Sequence, residues 1–455
     1  MKLGSGFFGL CRRIAASGSA PGAYDYYIDD ALGNDSNDGS SGSPWQSLSK
    51  VQDIALGAGA TVDVLVKAGT YDKTTDYVIR NAAGGQPGAG STLNITFETG
   101  CVMDGAAASA SAETNGFEID GSNAWTCNVT GNGLIVQHYN RTSGGVSPNG
   151  VGCRGSVTVN VSDVRTTDCV DGFSAHETST LNLTDCEADA CIKAPFIHVG
   201  SATVTALRSR FTELSGGGTS EMDICDTTFT GTITCTQCEF VPDGASSRFR
   251  AGGGVFSRCE LGTTTGGLNL QWTSGQGVLS ITDSFVNIYV DGTYSVTALR
   301  CFGKWTSRIR PGSTHDVQHC VFTGGGAGQA SIILGTTNLS GCQTLVFNNN
   351  VLETASATAC SNISATVAGY MNTATAQTRY NCLSGSATYD ADWISADSGG
   401  TGRTGTISAD ALIGAANTLA MSDYAYAGGS PCIGAGSGGS NIGFGASDVV
   451  TVGLP

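Results

Sequence analysis

Leu181–Ala188 reads LNLTDCEA, and from about Leu93 to Leu383 the chain keeps returning to that texture. Val204–Phe211 is VTALRSRF, Thr234–Phe240 is TCTQCEF, Val255–Leu261 is VFSRCEL and Leu279–Val286 is LSITDSFV. VTALRCF follows at Val296, VQHCVF at Val317, LVFNNNVL at Leu345 and RYNCL at Arg379. Each instance combines alternating apolar residues with a small residue or Cys, a further apolar residue and a polar turn. Alternation of period two is the signature of a strand. Cys238 precedes Cys259 by 21 residues and Cys301 precedes Cys320 by 19, while inserted loops lengthen other repeats. Repeats of 20–50 residues indicate stacked units, and propeller blades are about twice the length seen here. The reading is an all-β chain, a right-handed parallel β-helix whose rungs bury Cys, Val, Leu and Phe in axial ladders.

Composition supports one extended array. The chain has 66 Gly and only 9 Pro in 455 residues, and it lacks long apolar stretches of helical period. With 40% hydrophobic residues it can form a core, so disorder is excluded. No run approaches the ~20 apolar residues of a membrane span. A net charge of −16, with lysine at only six positions, argues against a nucleic-acid partner, whose phosphates require cations. Seventeen cysteines is an odd number, which excludes a fully paired disulfide framework. They are expected to be reduced core thiols, implying folding in a reducing cytoplasm.

The first residues, MKLGSGFFGLCRRIAASGSA, have a short, glycine-broken apolar stretch with Arg12 and Arg13 on the wrong side for a secretory signal. Tyr26–Gly39 is a short β-pattern followed by a turn cluster. Pro44–Leu56 places Trp45, Leu48, Val51, Ile54 and Ala55 near helical spacing, with Ser43–Pro44 as cap and first turn. A short helix ahead of many strands is what the open end of a stack requires.

Tyr27-Ile28-Asp29, Gly33-Asn34-Asp35, Asp38-Gly39, Pro44-Trp45 and Val66–Tyr71 resemble the opening module of parallel β-helix proteins of the pectate-lyase-like superfamily. Ser430–Gly436 with Asn441-Ile442-Gly443 is similar to its closing segment, with Gly434 where Asp is usual. The superfamily includes lyases, hydrolases, epimerases and non-catalytic spikes, so the resemblance speaks to fold and not to activity. The leader also resembles the virion-attachment peptide of tailed-phage tailspike and fibre proteins, which implies cytoplasmic synthesis and a homotrimer. The organisation expected is a leader at 1–23, an opening module at 24–80, rungs at 81–390 and a terminal cap or looser segment at 391–455.

The densest polar cluster runs from Asp168 to Asp226. With a rung offset of about 23 residues, Cys186 matches Ser209, Phe173 falls opposite Phe196 and Ala175 opposite His198. Asp171, His176, Lys193 and His198 are the candidate catalytic residues. Paired carboxylates would serve hydrolysis, and a base such as Lys193, with Arg208, Arg210 or carboxylate-held Ca²⁺ on the uronate, would serve a lyase. Asp and Asn fixing rung turns through backbone hydrogen bonds is the competing structural explanation. For glycan contact the candidates are Trp125, Tyr139, Trp272 and Trp305, with Tyr289 and Tyr294. No metal is expected: Cys235 and Cys238 lack a second pair, and His315 and His319 fit a turn before a core Cys. The run Gly33–Gly39 could hold Ca²⁺, but it reads better as a polar turn. Asn-x-Ser/Thr triplets at Asn94, Asn128 and Asn182 are expected by chance. The expected function is a virion spike or fibre subunit meeting a surface polysaccharide, made in the host cytoplasm. The alternatives are a secreted polysaccharide-degrading enzyme and a purely structural virion protein.

Overall fold

A computed structural model describes residues 24–72, 78–79, 86–105, 115–139, 149–191, 194–198, 200–213, 221–222, 231–242, 247–249, 253–264, 267–271, 277–292, 294–309, 314–323, 332–335, 344–354, 361–363, 376–377, 381–385, 407–408, 411 and 419–454. Among these residues the named strands pair in parallel, each with the equivalent strand one rung on. The chain is a parallel β-helix with three strands per turn. The first sheet contains Thr61–Val66, Thr92–Phe97, Thr180–Thr184, Thr203–Leu207 and their successors to Thr344–Asn348. The second begins with Thr70–Asp72 and Val102–Asp104, and the third with Val78–Ile79. Phe117–Gln137 and Asn149–Thr167 are continuous strands that bend through all three.

Side-chain alternation divides each strand into an inward and an outward set. Val64, Ile95, Val129, Val161, Leu183 and Ala206 stack in one inward column of the first sheet. The register expected from the sequence is observed: Phe173 pairs with Phe196 and Ala175 with His198.

The Cys marker has a definite role at the corner between the first and second sheets. The residue before it adopts a left-handed backbone in successive rungs, with φ 54° at Asp185, 47° at Arg208, 54° at Gln237 and 51° at Arg300. That bends the chain from the first sheet into the second and turns the next side chain inward. Cys186, Cys238, Cys259, Cys301 and Cys320 each aim Sγ at the carbonyl two residues back and at a carbonyl of the preceding rung. Ser209 and Ser284 make the local bond with a hydroxyl and accept from the backbone N–H of Cys186 and Cys259. Asn350 and Asn381 complete the ladder. The thirteen described cysteines are free and buried. Burial pushes the Cys153 and Cys186 thiols up to about 12, which keeps them protonated and unreactive.

At the open end the helix is a 3-10 helix, Leu48–Asp53, burying Leu48 and Val51. It starts beyond the Ser43–Pro44 pair expected to open it. Pro44 belongs to the preceding turn, where its carbonyl accepts from Asn34 and Asn37, and Trp45 stacks on Tyr26 at 4.6 Å. The oxygens of Asn34, Asp35 and Asp38 accept backbone N–H groups, so the run Gly33–Gly39 is a polar turn. His315 is inward and buried, whereas His319 is a left-handed corner residue, so the two do not converge.

An outward column of the second sheet changes character along the axis. Arg165, Glu187, Arg210, Glu239 and Glu260 are followed, in register, by Phe285, Phe302, Val321, Val351 and Cys382. The change coincides with the C-terminal segment, which runs back along the side of the stack. Met421, Tyr424, Tyr426, Ile442 and Phe444 are buried in one cluster with the apolar half of the column. Gly443 N–H donates to the Asn349 carbonyl, and the backbone at Gly434, in the position where Asp is usual, is left-handed at φ 67°. Near the end, Gly453 N–H donates to the Arg258 carbonyl and Leu454 N–H to Glu239.

This strap perturbs an acid. Burial, and then the charge of Glu239, push Glu260 up to about 7, with Arg210 opposing them. Between its unfolded value of about 4.5 and 7 the native chain holds a proton that the unfolded chain has released, so stability falls as pH rises through that window. His315 does the opposite: burial lowers it to about 4, and its contribution is lost as pH falls from about 6.5. Glu260→Gln is therefore expected to match the parent near pH 4.5 and exceed it by ~1–2 kcal/mol above pH 7, allowing for partial exposure. Melting curves of both proteins across that range test this; a pH-independent difference would contradict it.

Candidate functional site

The second-sheet strands end in an outward column made of Asp72, Asp104, Gln137, Thr167 and Asp189. Directly after Gln137 and Thr167 the backbone turns left-handed, at His138 with φ 62° and Asp168 with φ 49°. Both side chains are thereby placed at the same turn on adjacent rungs, facing outward beside the column. Tyr139 and Cys169, the next residues, turn into the core.

His138 is bracketed. Its Nδ1 lies 2.8 Å from Asp104 Oδ1 in the rung before, and its Nε2 3.8 Å from Asp168 Oδ2 in the rung after. Gln137 Nε2 donates to the other oxygen of Asp104 at 2.9 Å, which fixes that carboxylate. His138 and Asp168 are 38% and 43% exposed and Asp104 22%, so the row is open to a ligand while Asp104 is held in place. Arg165 supplies the neighbouring cation, on Asp189 at 2.7 Å and Glu187 at 3.6 Å. An imidazole oriented by one carboxylate and facing another can accept or donate a proton, or hydrogen-bond sugar hydroxyls.

Of the catalytic candidates expected from sequence, Asp171 and His176 are among the described residues. Asp171 is buried, at the head of the strand Asp171–Ala175 and on the same side as Phe173. His176 is half-buried at the following turn, where its backbone N–H donates to the Cys153 carbonyl. Lys193 lies outside the described residues, as does the side chain of His198, whose backbone pairs with Ala175. Arg208 makes two bonds to Asp185, and Arg210 lies between Glu187 and Glu239, so both belong to the surface ladders.

Among the described residues the expected aromatic surface is not found. Trp125, Tyr139 and Trp305 are each buried in the core. Trp125 fills a corner so tightly that a Cβ at Gly121 would stand 2.2 Å from its ring nitrogen. Tyr139 packs against Gly105 and Gly116, and Trp305 against Phe322 at 5.9 Å. The left-handed His138 turns Tyr139 inward, and Trp125 and Trp305 occupy inward strand positions in register with Val157 and Ile288. Trp272 and the side chain of Tyr294 are outside the described residues, and Tyr289 is half-buried in the third sheet. The sequence reading included Asp168 in its polar cluster but missed Asp104 and His138. The available signal was Asp104 and Gln137 ending equivalent alternating segments.

No grouping of His, Cys, Asp and Glu that could hold a metal occurs among the described residues, and no described helix is long and apolar enough to cross a membrane. No family model matches the chain, and no curated protein does. Among solved structures, a rhamnogalacturonan lyase is similar at 14% identity and TM-score 0.35, over 65% of this chain and 87% of the lyase. The assignment as a parallel β-helix rests on the strand pairings, and that likeness adds nothing about chemistry.

Proposed function

We propose that this chain is a virion spike or fibre subunit, of the tailspike kind, whose β-helix contacts a surface glycan along the Asp104–His138–Asp168 row. The observation that carries the glycan reading is the row itself. Hydrogen-bonding side chains recur on each rung, ~4.8 Å apart, at an exposed strand end. Such a line suits the hydroxyls of a linear polymer. Because its charges are mainly carboxylates on a chain of net charge −16, the polymer expected is neutral or amino-bearing and not polyanionic. The virion part is supported by the leader's resemblance and by thirteen free thiols, which suit assembly in a reducing compartment. On this reading the subunit is a homotrimer joined to other virion proteins by residues 1–23.

One observation favours a second reading, cleavage of the glycan. Asp104 behind Nδ1 leaves Nε2 and Asp168 as a facing acid–base pair. Binding and reducing-end release should be measured on a panel of bacterial surface polysaccharides, alongside mass photometry. A trimer that retains one polymer, with at least tenfold weaker retention by His138→Gln and Asp168→Asn, is the expected result. Release of reducing ends by the parent and not by His138→Gln would establish cleavage. Retention of no polymer, or variants that bind like the parent, would end the glycan reading.

A further inference from the structure

The outward face of the first sheet has a regularity that the fold does not require. Thr92–Thr96 reads TLNIT, Thr126–Thr130 TCNVT, Thr158–Ser162 TVNVS and Thr180–Thr184 TLNLT. Strand register aligns these segments residue for residue, so each outward Thr, Asn or Ser repeats on the next rung. Thr203 and Thr205 continue two of the three rows and are exposed. The rungs vary in length, with 34 residues from Asn94 to Asn128 and 22 from Asn160 to Asn182, yet this face is held in step.

The middle row is braced. Asn94 Nδ2 donates to Asp63 Oδ1, and Asn128, Asn160 and Asn182 each donate to the Asn one rung earlier, at 2.7–2.8 Å. These bonds also account for the Asn-x-Ser/Thr triplets: Asn and the following Thr or Ser are both outward, two residues apart. Strand propensity explains Thr on a sheet but not the repeated Asn, which strands disfavour. On the same rungs the second sheet presents Arg165, Glu187 and Arg210 outward. On these four rungs the first-sheet face carries no charged side chain, and Asp63, one rung earlier, is the charged residue at its start, in a chain of net charge −16.

What results is a rigid, uncharged lattice of hydroxyl, methyl and amide groups. Its repeats are ~4.8 Å along the axis and ~6.6 Å along the strand. A sheet face has no groove to hold a single polymer chain, and none of the outward positions in these segments is aromatic. A two-dimensional lattice matches a partner with its own two-dimensional lattice. The shortest oxygen repeat of hexagonal ice lies just under the rung spacing. Hydroxyls on such a grid can take positions in an ordered first water layer, which costs little when the side chains are already fixed.

We infer that the Thr-x-Asn-x-Thr face of the first sheet is an ice-binding surface. It is separate from the Asp104–His138–Asp168 row and does not depend on the glycan reading. The test uses the fluorescently labelled full-length protein, a growing ice hemisphere and an ice-recrystallisation assay. Parent protein is expected to enter the ice and to arrest recrystallisation at micromolar concentration. The double variant Thr158→Tyr/Thr180→Tyr should lose at least tenfold of that activity at unchanged melting temperature, because Tyr suits a strand but breaks the lattice. Arg154→Tyr, on the third sheet, should behave as the parent. Exclusion of the parent from ice would overturn the proposal. Exclusion together with a smaller oligomer for the double variant would show that a second copy covers the face. Exclusion together with retention on insoluble chitin or cellulose would assign it to a crystalline polysaccharide.

Discussion

Removing residues 419–455 is expected to leave a chain that cannot remain soluble and monodisperse. The segment's composition hides its weight, since much of it is Gly, Ser and Ala. Its large buried side chains fall on one target: Tyr424 meets Phe302 at 4.8 Å and Phe444 meets the same ring at 6.3 Å. A Cβ added at Gly443 would meet the methyls of Val351 and Val321. Phe285, Phe302, Val321, Val351 and Cys382 point away from the stack's interior and are nevertheless almost fully buried, because the strap is their core. Each large apolar side chain so covered contributes ~1.5–3 kcal/mol relative to exposure. Without the strap they would form a continuous apolar stripe, of the kind that drives association. The truncated chain should bind a hydrophobic dye strongly and elute as aggregates. Because truncation could abolish folding outright, Phe444→Ser provides the milder arm. It should lower the melting temperature and raise dye binding while the circular dichroism stays that of a β-helix. A truncated chain that is monodisperse with the parent's melting temperature would refute this account.

Asn350→Leu is expected to be the most damaging conservative-sized substitution in the rungs. Asn350 is fully buried at the corner where other rungs place Cys or Ser. Its Nδ2 donates to the Val317 carbonyl and its Oδ1 accepts the Cys320 N–H, both at 2.9 Å. Leucine would strand both backbone groups away from water, at ~1–3 kcal/mol each. The expected loss is ~3–5 kcal/mol, read as a fall in melting temperature. The same position two rungs earlier predicts the contrast. Cys301→Ser should cost under ~1 kcal/mol, since Ser209 and Ser284 already make the local bond elsewhere in the ladder. Equal effects of the two substitutions would mean that the corner is held by packing and not by its hydrogen bonds.

Much of this architecture was legible in the chain itself. Alternation in segments such as LNLTDCEA sets which side chains face inward, and the Cys or Ser after a turn residue marks each corner. Those two local signals are enough to place Phe173 opposite Phe196, because in-register parallel pairing leaves one residue-by-residue alignment. The candidate site was far less legible. Asp104 and His138 are 34 residues apart, and only the number of residues inserted between rungs decides that they meet. The aromatic residues misled for a related reason. Trp125 and Trp305 take inward strand positions in register with Val157 and Ile288, and Tyr139 is turned into the core by the left-handed His138 before it.

The sequence by itself determined the class of fold and the axial ladders that bury Cys, Val, Leu and Phe, since these follow from periodicity and from chemistry repeated rung after rung. Only the tertiary structure decided that His138 lies between Asp104 and Asp168, that the tail is a strap along the side, and that Thr and Asn form an unbroken lattice on one face. Each of these depends on how rungs of unequal length align. That alignment is set by the parallel hydrogen bonding and packing of the whole stack, and no local segment encodes it.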